Sequence, residues 1–102
     1  MSENVIDISD LDAAEVLAEL YNNAGSPGLG ALHRERTDMT AAEARPILDA
    51  QCGRFDYLKG RVLKVDLRGG KLTFARLYDR DNGEGAAQEC VDRVRARKEV
   101  DA

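Results

Sequence analysis

The fold is decided by residues 55–67, FDYLKGRVLKVDL, in which apolar and polar residues alternate as they do in a half-buried β-strand. The alternation is strictest near its end, where Leu63, Val65 and Leu67 share one face. The next four residues, RGGK (68–71), predict a hairpin turn, because Gly-Gly allows the positive φ values that two-residue turns need. This stretch therefore predicts the start of a small antiparallel sheet.

The sequence after this turn predicts a returning strand over residues 72–78 and then a helix. The apolar residues of the strand fall out of phase halfway along it, so we expect a β-bulge near residues 74–76. Asn82 or Gly83 is then expected to begin the last helix of the chain. The apolar stripe of this helix consists of Ala87, Cys90, Val91 and Val94.

The amino-terminal half predicts a short edge strand and two helices. The strand covers residues 5–8, and either Ser9 or Asp10 is expected to cap the first helix, which Gly25 ends. Residues 40–43, TAAE, match a capping box and therefore predict the start of a second helix.

Together these elements predict one α+β domain over residues 1–102, because a chain of this length holds a single core. A small antiparallel hairpin sheet packs against three helices, in the order helix, loop, helix, strand, strand, helix. Two or three strands make a thin sheet, and pairing across a homodimer would complete it economically. A homodimer is therefore one expectation of the sequence.

Composition and charge narrow the class of function. Hydrophobic residues make up 43% of the chain and charged residues 33%, as in a globular, soluble protein. No apolar run approaches the ~20 residues that span a bilayer, so we expect a cytoplasmic protein without a membrane partner. The net charge of −4 argues against nucleic acid as a partner. Cys52 and Cys90 are expected to be buried, reduced thiols.

The charges are unevenly distributed along the chain. Residues 1–33 carry six acids and no Lys or Arg, whereas residues 54–80 carry eight bases against three acids. A basic sheet face would suit a small phosphorylated ligand or the acidic first helix of a second subunit.

The strongest candidate site is the turn at residues 82–85, NGEG, which is predicted to join a strand to a helix. Backbone N–H groups of such a turn and of the helix N-terminus point at one spot, where anions commonly bind. Arginine side chains, a stacking tyrosine and the loop over residues 25–33 would complete the site. The predicted ligand-binding residues are Arg61, Arg80, Asn82, Gly83, Gly85, Tyr57, Tyr78, Gly28 and Gly30. The structural alternative is a turn that needs glycine only for its backbone angles.

The sequence predicts no metal, cofactor or catalytic group. Asp79, Asp81 and Glu84 approach the spacing of a calcium loop, but position twelve of that loop would be Cys90 instead of glutamate. A looser magnesium site on these carboxylates stays open. His33 is the only imidazole and has no nucleophile near it in sequence.

Three short sequence motifs resemble those of a known group of proteins. The motifs are YNN (21–23) with GLG (28–30), FDYLKGR (55–61) and YDRDNG (78–83). They resemble small proteins of phages, prophages and mobile elements, a group with no established activity. The resemblance implies a protein that binds and neutralises a component of its host, and it assigns no role to any residue.

The leading prediction is a non-catalytic binding module that captures a small phosphorylated ligand, such as a nucleotide signal. The alternative is a protein-interaction module, an inhibitor or adaptor of a host protein, that uses the acidic first helix or a sheet edge as its contact surface. A small enzyme is the least favoured class, because no nucleophile and base stand together in the sequence.

Overall fold

The computed structural model describes residues 5–24, 38–58 and 61–101. These residues form four helices and a four-stranded antiparallel sheet, which confirms the predicted α+β class. In chain order the elements are β1 (Val5–Asp7), α1 (Ala13–Asn23), α2 (Ala41–Ala50), β2 (Arg54–Leu58), β3 (Arg61–Asp66), β4 (Lys71–Thr73), α3 (Ala75–Asn82) and α4 (Ala86–Asp101).

The sheet has the strand order β1-β4-β3-β2, so β1 and β2 are its edges. The edge strand predicted at the amino terminus is confirmed as β1. The stretch that alternates over residues 55–67 is two strands instead of one, because β2 pairs antiparallel with β3. Phe55 lies opposite Val65 and Tyr57 opposite Val62, with a register shift between the two pairs. The sequence therefore contained one strand more than we predicted.

The turn after β3 and the strand that follows it differ from the prediction in length. Gly69 and Gly70 have φ values of 66° and 73°, as the turn prediction required, within a short 3₁₀ segment over Arg68–Gly70. However, β4 is only three residues long, and the predicted strand over residues 72–78 is wrong beyond Thr73.

The chain changes from strand to helix at Phe74, whose backbone is left-handed with φ 66° and ψ 28°. Helix α3 follows at once and buries Ala75, Tyr78 and Asn82, which lie at helical spacing. The shift of phase near residues 74–76 is therefore the start of a helix, and the predicted β-bulge is wrong.

The first two helices are capped by side chains. Asp12, and not Ser9 or Asp10, is the N-cap of α1, because its carboxylate accepts the N–H of Ala14 at 3.0 Å. The predicted capping box of α2 is confirmed. The N–H of Glu43 donates to the hydroxyl of Thr40 at 3.2 Å, and the N–H of Thr40 donates back to the Glu43 carboxylate at 3.0 Å. Such caps stabilise a helix by ~1 kcal/mol.

The core lies between α1, α4 and one side of the sheet. Helix α1 contacts α2 and α4 most extensively, and α3 packs against both β3 and α4. Complete burial of one leucine or isoleucine side chain contributes about 1.5–3 kcal/mol, so the buried apolar side chains contribute most of the stability of the fold. The largest fully buried side chains include Ile8, Leu17, Leu20, Leu63, Leu72 and Tyr78.

Two acidic residues in and just before α1 form ion pairs with basic residues of α4. The carboxylate of Glu19 lies 2.8 Å from the guanidinium of Arg93 and 3.0 Å from that of Arg97. Asp10, just before α1, pairs with Arg95 at 3.0 Å. Burial raises the pKa of Glu19, but hydrogen bonds from both arginines outweigh it and hold this pKa below its ordinary value. Glu19 and Asp10 are therefore engaged within the fold.

Candidate functional site

The turn predicted to bind an anion joins two helices. Asn82 is the last residue of α3, and α4 begins at Ala86, so the predicted helix start at Asn82 or Gly83 is wrong. The backbone φ is 111° at Gly83 and 79° at Gly85, values that side chains rarely tolerate. The backbone angles alone account for both glycines, as the structural alternative for this turn required.

The amide groups of this turn already hold a carboxylate of the same chain. The N–H of Gly85 donates to Asp79 Oδ2 at 3.1 Å, and the N–H of Ala87 donates to Asp79 Oδ1 at 2.9 Å. An acidic side chain is favoured here by the helix dipole of α4. Asp79 therefore occupies the position in which we expected a phosphate.

Two further residues of the predicted site are part of the core. Tyr78 is 1% exposed, and its hydroxyl donates to the carbonyl of Leu20 at 2.6 Å. Asn82 is also buried, and its amide Nδ2 donates to the carbonyl of Tyr78 at 2.9 Å. Tyr78 thus connects α3 to α1, whereas the bond of Asn82 lies within α3.

The two predicted arginines have different surroundings. Arg61 is buried, and its Nη1 donates to the carbonyl of Ala24, just after α1, at 2.6 Å. Its guanidinium also lies 5.6 Å from the centre of the Tyr21 ring, within cation–π range. Arg80 is exposed on α3 next to Asp81, 3.5 Å away. Gly28 and Gly30, with the rest of the predicted loop, lie outside the described residues.

An open groove lies on the described part of the surface, beside the sheet. It has a volume of about 560 Å³ and lies where β2 and β3 meet the start of α3. This volume is within the range of ligand pockets in proteins. The residues that line it include the apolar Phe55, Tyr57, Phe74 and Leu77 and the charged Arg54, Asp56, Lys64 and Asp66.

Two aromatic side chains of this groove are exposed. Tyr57, on β2, is 63% exposed, and Phe74, just before α3, is 42% exposed. The left-handed backbone of Phe74 is an outlier for a bulky residue, and such strain costs about 1–3 kcal/mol. Strained backbone of this kind clusters at functional sites. Among the predicted site residues, Tyr57 lies in this groove. Phe74 was missed, although the shift of phase at residues 74–76 was its signal.

The charges of the groove balance one another. Arg54 lies 3.8 Å from Asp66, and Lys64 lies 3.3 Å from Asp56. The side chain of Arg68 donates hydrogen bonds to the Asp66 carboxylate, and these hold the pKa of Asp66 below its ordinary value. Two bases and two acids leave no net charge along the groove, so it does not concentrate phosphates by electrostatic attraction.

Reactive and metal-binding groups are scarce in residues 5–24, 38–58 and 61–101. No cluster of three or more His, Cys, Asp or Glu side chains in these ranges could hold a metal ion. Cys52 and Cys90 are free thiols, but Cys52 is exposed, which corrects our expectation that both are buried. Burial raises the pKa of Cys90 to about 11, so its thiol stays protonated and unreactive at neutral pH.

Comparison of the chain with protein-family models, with curated proteins and with solved structures finds no match. Within the described part of the chain, no helix is both long and apolar enough to cross a membrane. The resemblance to proteins of phages and mobile elements stays a prediction.

Proposed function

We propose that the protein is a non-catalytic interaction module whose recognition surface is the groove between β2, β3 and α3. The observation that carries this proposal is the exposure of two aromatic side chains, Tyr57 and Phe74, in one groove, the second on strained backbone. Exposed aromatic residues are enriched where proteins bind one another, and they supply most of the binding energy there.

The chemistry of the groove favours an apolar segment of a partner protein over a phosphorylated molecule. Its exposed walls are aromatic, and its four charged residues form two opposite pairs. An apolar anchor side chain of the partner would pack between Tyr57 and Phe74 and remove them from water. Polar groups of the partner would meet the charged pairs at the rim.

The identity of the partner rests on the resemblance. A protein of mobile-element origin that acts in the cytoplasm would bind and inhibit, or recruit, a protein of its host. Capture of a small phosphorylated ligand stays a prediction. We favour it less, because groups expected to contact the ligand already have partners within the chain. Asp79 occupies the amide groups of the turn, and Arg61 is engaged with Ala24.

The test is a selection from a displayed library of random peptides against the purified protein, followed by affinity measurement by isothermal titration calorimetry. We expect selected peptides to share an aromatic or aliphatic anchor. Both Tyr57→Ala and Phe74→Gly should weaken their binding by about tenfold or more, as for the central residues of an interface. Val100→Ala is the matched control, because Val100 is an exposed apolar residue on α4 outside the groove.

Two results would contradict the proposal. The first is a set of selected peptides whose affinity is unchanged by both groove variants. The second is a thermal shift by one class of phosphorylated metabolite, with no peptide selected at the groove. A ligand at 100 times its dissociation constant stabilises the folded state by about 2.7 kcal/mol, which is readily measured. That second result would establish ligand capture in place of protein interaction.

A further inference from the structure

The outer edge of strand β2 offers a second surface, which is formed by its backbone and shares Arg54 and Asp56 with the groove. In the sheet formed by the described residues, β2 has a neighbour on one side only. An edge strand presents unpaired N–H and C=O groups to any strand that approaches it. Proteins commonly block such edges with proline or with charged side chains. Residues 54–58, RFDYL, contain no proline, and their two charges, Arg54 and Asp56, are of opposite sign.

The charges next to this edge form an alternating pattern. Arg54 reaches Asp66, and Asp56 reaches Lys64, across the pair of strands. Lys64 and Asp66 are two positions apart on β3, so they lie on the same face of the sheet. Arg54 and Asp56 consequently lie on that face too, at the outer edge, with opposite charges.

The triplet Arg54-Phe55-Asp56 is complementary to itself in an antiparallel pair. If two copies of β2 pair with the two-fold axis at Phe55, Arg54 lies opposite the partner's Asp56, and Asp56 opposite the partner's Arg54. Each row of side chains across the joined sheets then alternates in sign: Lys64, Asp56, the partner's Arg54 and the partner's Asp66. Pairs of opposite charge stabilise neighbouring strands, and like charges directly opposite destabilise them.

The neighbouring registers are disfavoured by the same charges. A two-fold axis at Asp56 sets two carboxylates opposite each other, and an axis at Arg54 sets two guanidinium groups opposite each other. The charge pattern thus selects one register around Phe55. The exposed Arg54 and Asp56 side chains, 67% and 82% accessible, are free to extend toward a second copy.

We propose that the occupant of the β2 edge is a second copy of this chain, paired antiparallel about Phe55 to form one continuous eight-stranded sheet. The inference does not rest on the proposed function, because it concerns pairing of the outer backbone edge of β2, although Arg54 and Asp56 also line the groove. The paired strands are short, so the dimer is expected to be weak and to dissociate on dilution.

The test uses two variants with reversed charges, measured by sedimentation velocity over a range of protein concentrations. Arg54→Asp leaves two acids on the edge, and Asp56→Arg leaves two bases. Each variant alone therefore sets like charges opposite each other, and its self-association should weaken by about tenfold or more. An equimolar mixture of the two restores both opposite pairs, so it should associate at least as well as the parent chain.

The expected result is a parent whose mass rises with concentration from 11.2 kDa toward twice that value, two monomeric variants, and a mixture that associates. A parent that stays monomeric at the limit of its solubility would overturn the proposal. Variants that associate like the parent would also overturn it, as would a mixture that stays monomeric. Circular dichroism of each variant, with a thermal melt, establishes that the chains being compared are folded.

Discussion

The turn between α3 and α4 and the groove beside β2 differ in whether their candidate binding residues already have partners within the chain. At the turn, Asp79 accepts the amides of Gly85 and Ala87, and Asn82 donates to the carbonyl of Tyr78, so these polar groups have partners within the chain. At the groove, Tyr57 and Phe74 stay exposed. The comparison teaches that the polar groups of a typical binding-site pattern can find their partners within the chain. Aromatic side chains that stay exposed to water are the better guide to function.

The largest expected effect separates the two tyrosines. Tyr78→Ala removes a buried ring and the hydroxyl that binds the Leu20 carbonyl, and we expect a loss of about 4 kcal/mol in the free energy of unfolding. Tyr57→Ala should change that free energy by less than about 0.5 kcal/mol, because the side chain is exposed. Urea unfolding measures both. Equal losses would show that the two regions do not differ as described.

The two arginines provide the next comparison. Arg61→Met leaves the buried carbonyl of Ala24 without this donor and ends the cation–π contact with Tyr21, so we expect a loss of about 2 kcal/mol. Arg80→Met is the control, with an expected change below about 0.5 kcal/mol, because its pair with Asp81 is exposed. The same unfolding experiment applies. If Arg61→Met were as stable as the parent protein, Arg61 would have no structural role, and the ligand-binding role that the sequence predicts would be favoured.

Asp79 tests whether the turn is closed by its own carboxylate. Asp79→Asn weakens two bonds to the backbone of the turn and removes a negative charge from the N-terminus of α4. We expect a loss of about 1.5 kcal/mol in the free energy of unfolding, which lowers the Tm by about 6–12 °C. The neighbouring Asp81→Asn should leave the Tm nearly unchanged. Stabilisation of Asp79→Asn by added phosphate, absent from the parent protein, would reveal a latent anion site.

The smallest expected effect is a change in the pH dependence of stability. Hydrogen bonds from arginines hold the pKa values of Glu19 and Asp66 below their ordinary values and lower the pKa of Asp10 to about 2. Groups with a depressed pKa contribute stability above their unfolded pKa and lose it as the pH falls through the folded value. The Tm should therefore fall steadily as the pH is lowered from about 4.5 toward 2.

The variant Glu19→Gln isolates one of these contributions. Its Tm should depend less steeply on pH in this window than that of the parent protein, because one of the titrating groups is gone. Glu99→Gln, an exposed position on α4, should keep the slope of the parent. Equal slopes in all three proteins would contradict the assigned role of the Glu19 ion pairs.

The parts of the fold that the sequence predicted are those with a local cause. The capping box of α2 involves residues three positions apart, and the positive φ values of Gly69 and Gly70 are a property of glycine itself. The prediction of a strand over residues 72–78 was wrong for a reason that is also local. Phe74 adopts a left-handed backbone that propensity does not anticipate, and the buried residues after it, including the polar Asn82, follow helical spacing.

The candidate site could not be predicted from the sequence, because its contacts depend on how the helices and strands pack against one another. Because Asp79 lies on a helix and not just after a strand, its carboxylate reaches the amides six and eight residues later. The burial of Arg61 depends on the end of α1, 37 positions earlier in the chain. The presence of Tyr57 in a groove depends on β2 as a strand separate from β3 and on α3, and the sequence pattern predicts neither.

The ion pair between Glu19 and Arg93 joins residues 74 positions apart, and this separation has a consequence for how the chain folds. During synthesis, α1 leaves the ribosome long before α4, which provides much of its packing surface. We therefore expect Leu17 and Leu20, which are buried in the folded domain, to stay partly exposed to water until α4 has been made. We expect a nascent chain stalled before residue 86 to be digested rapidly by proteases, whereas the finished protein resists them.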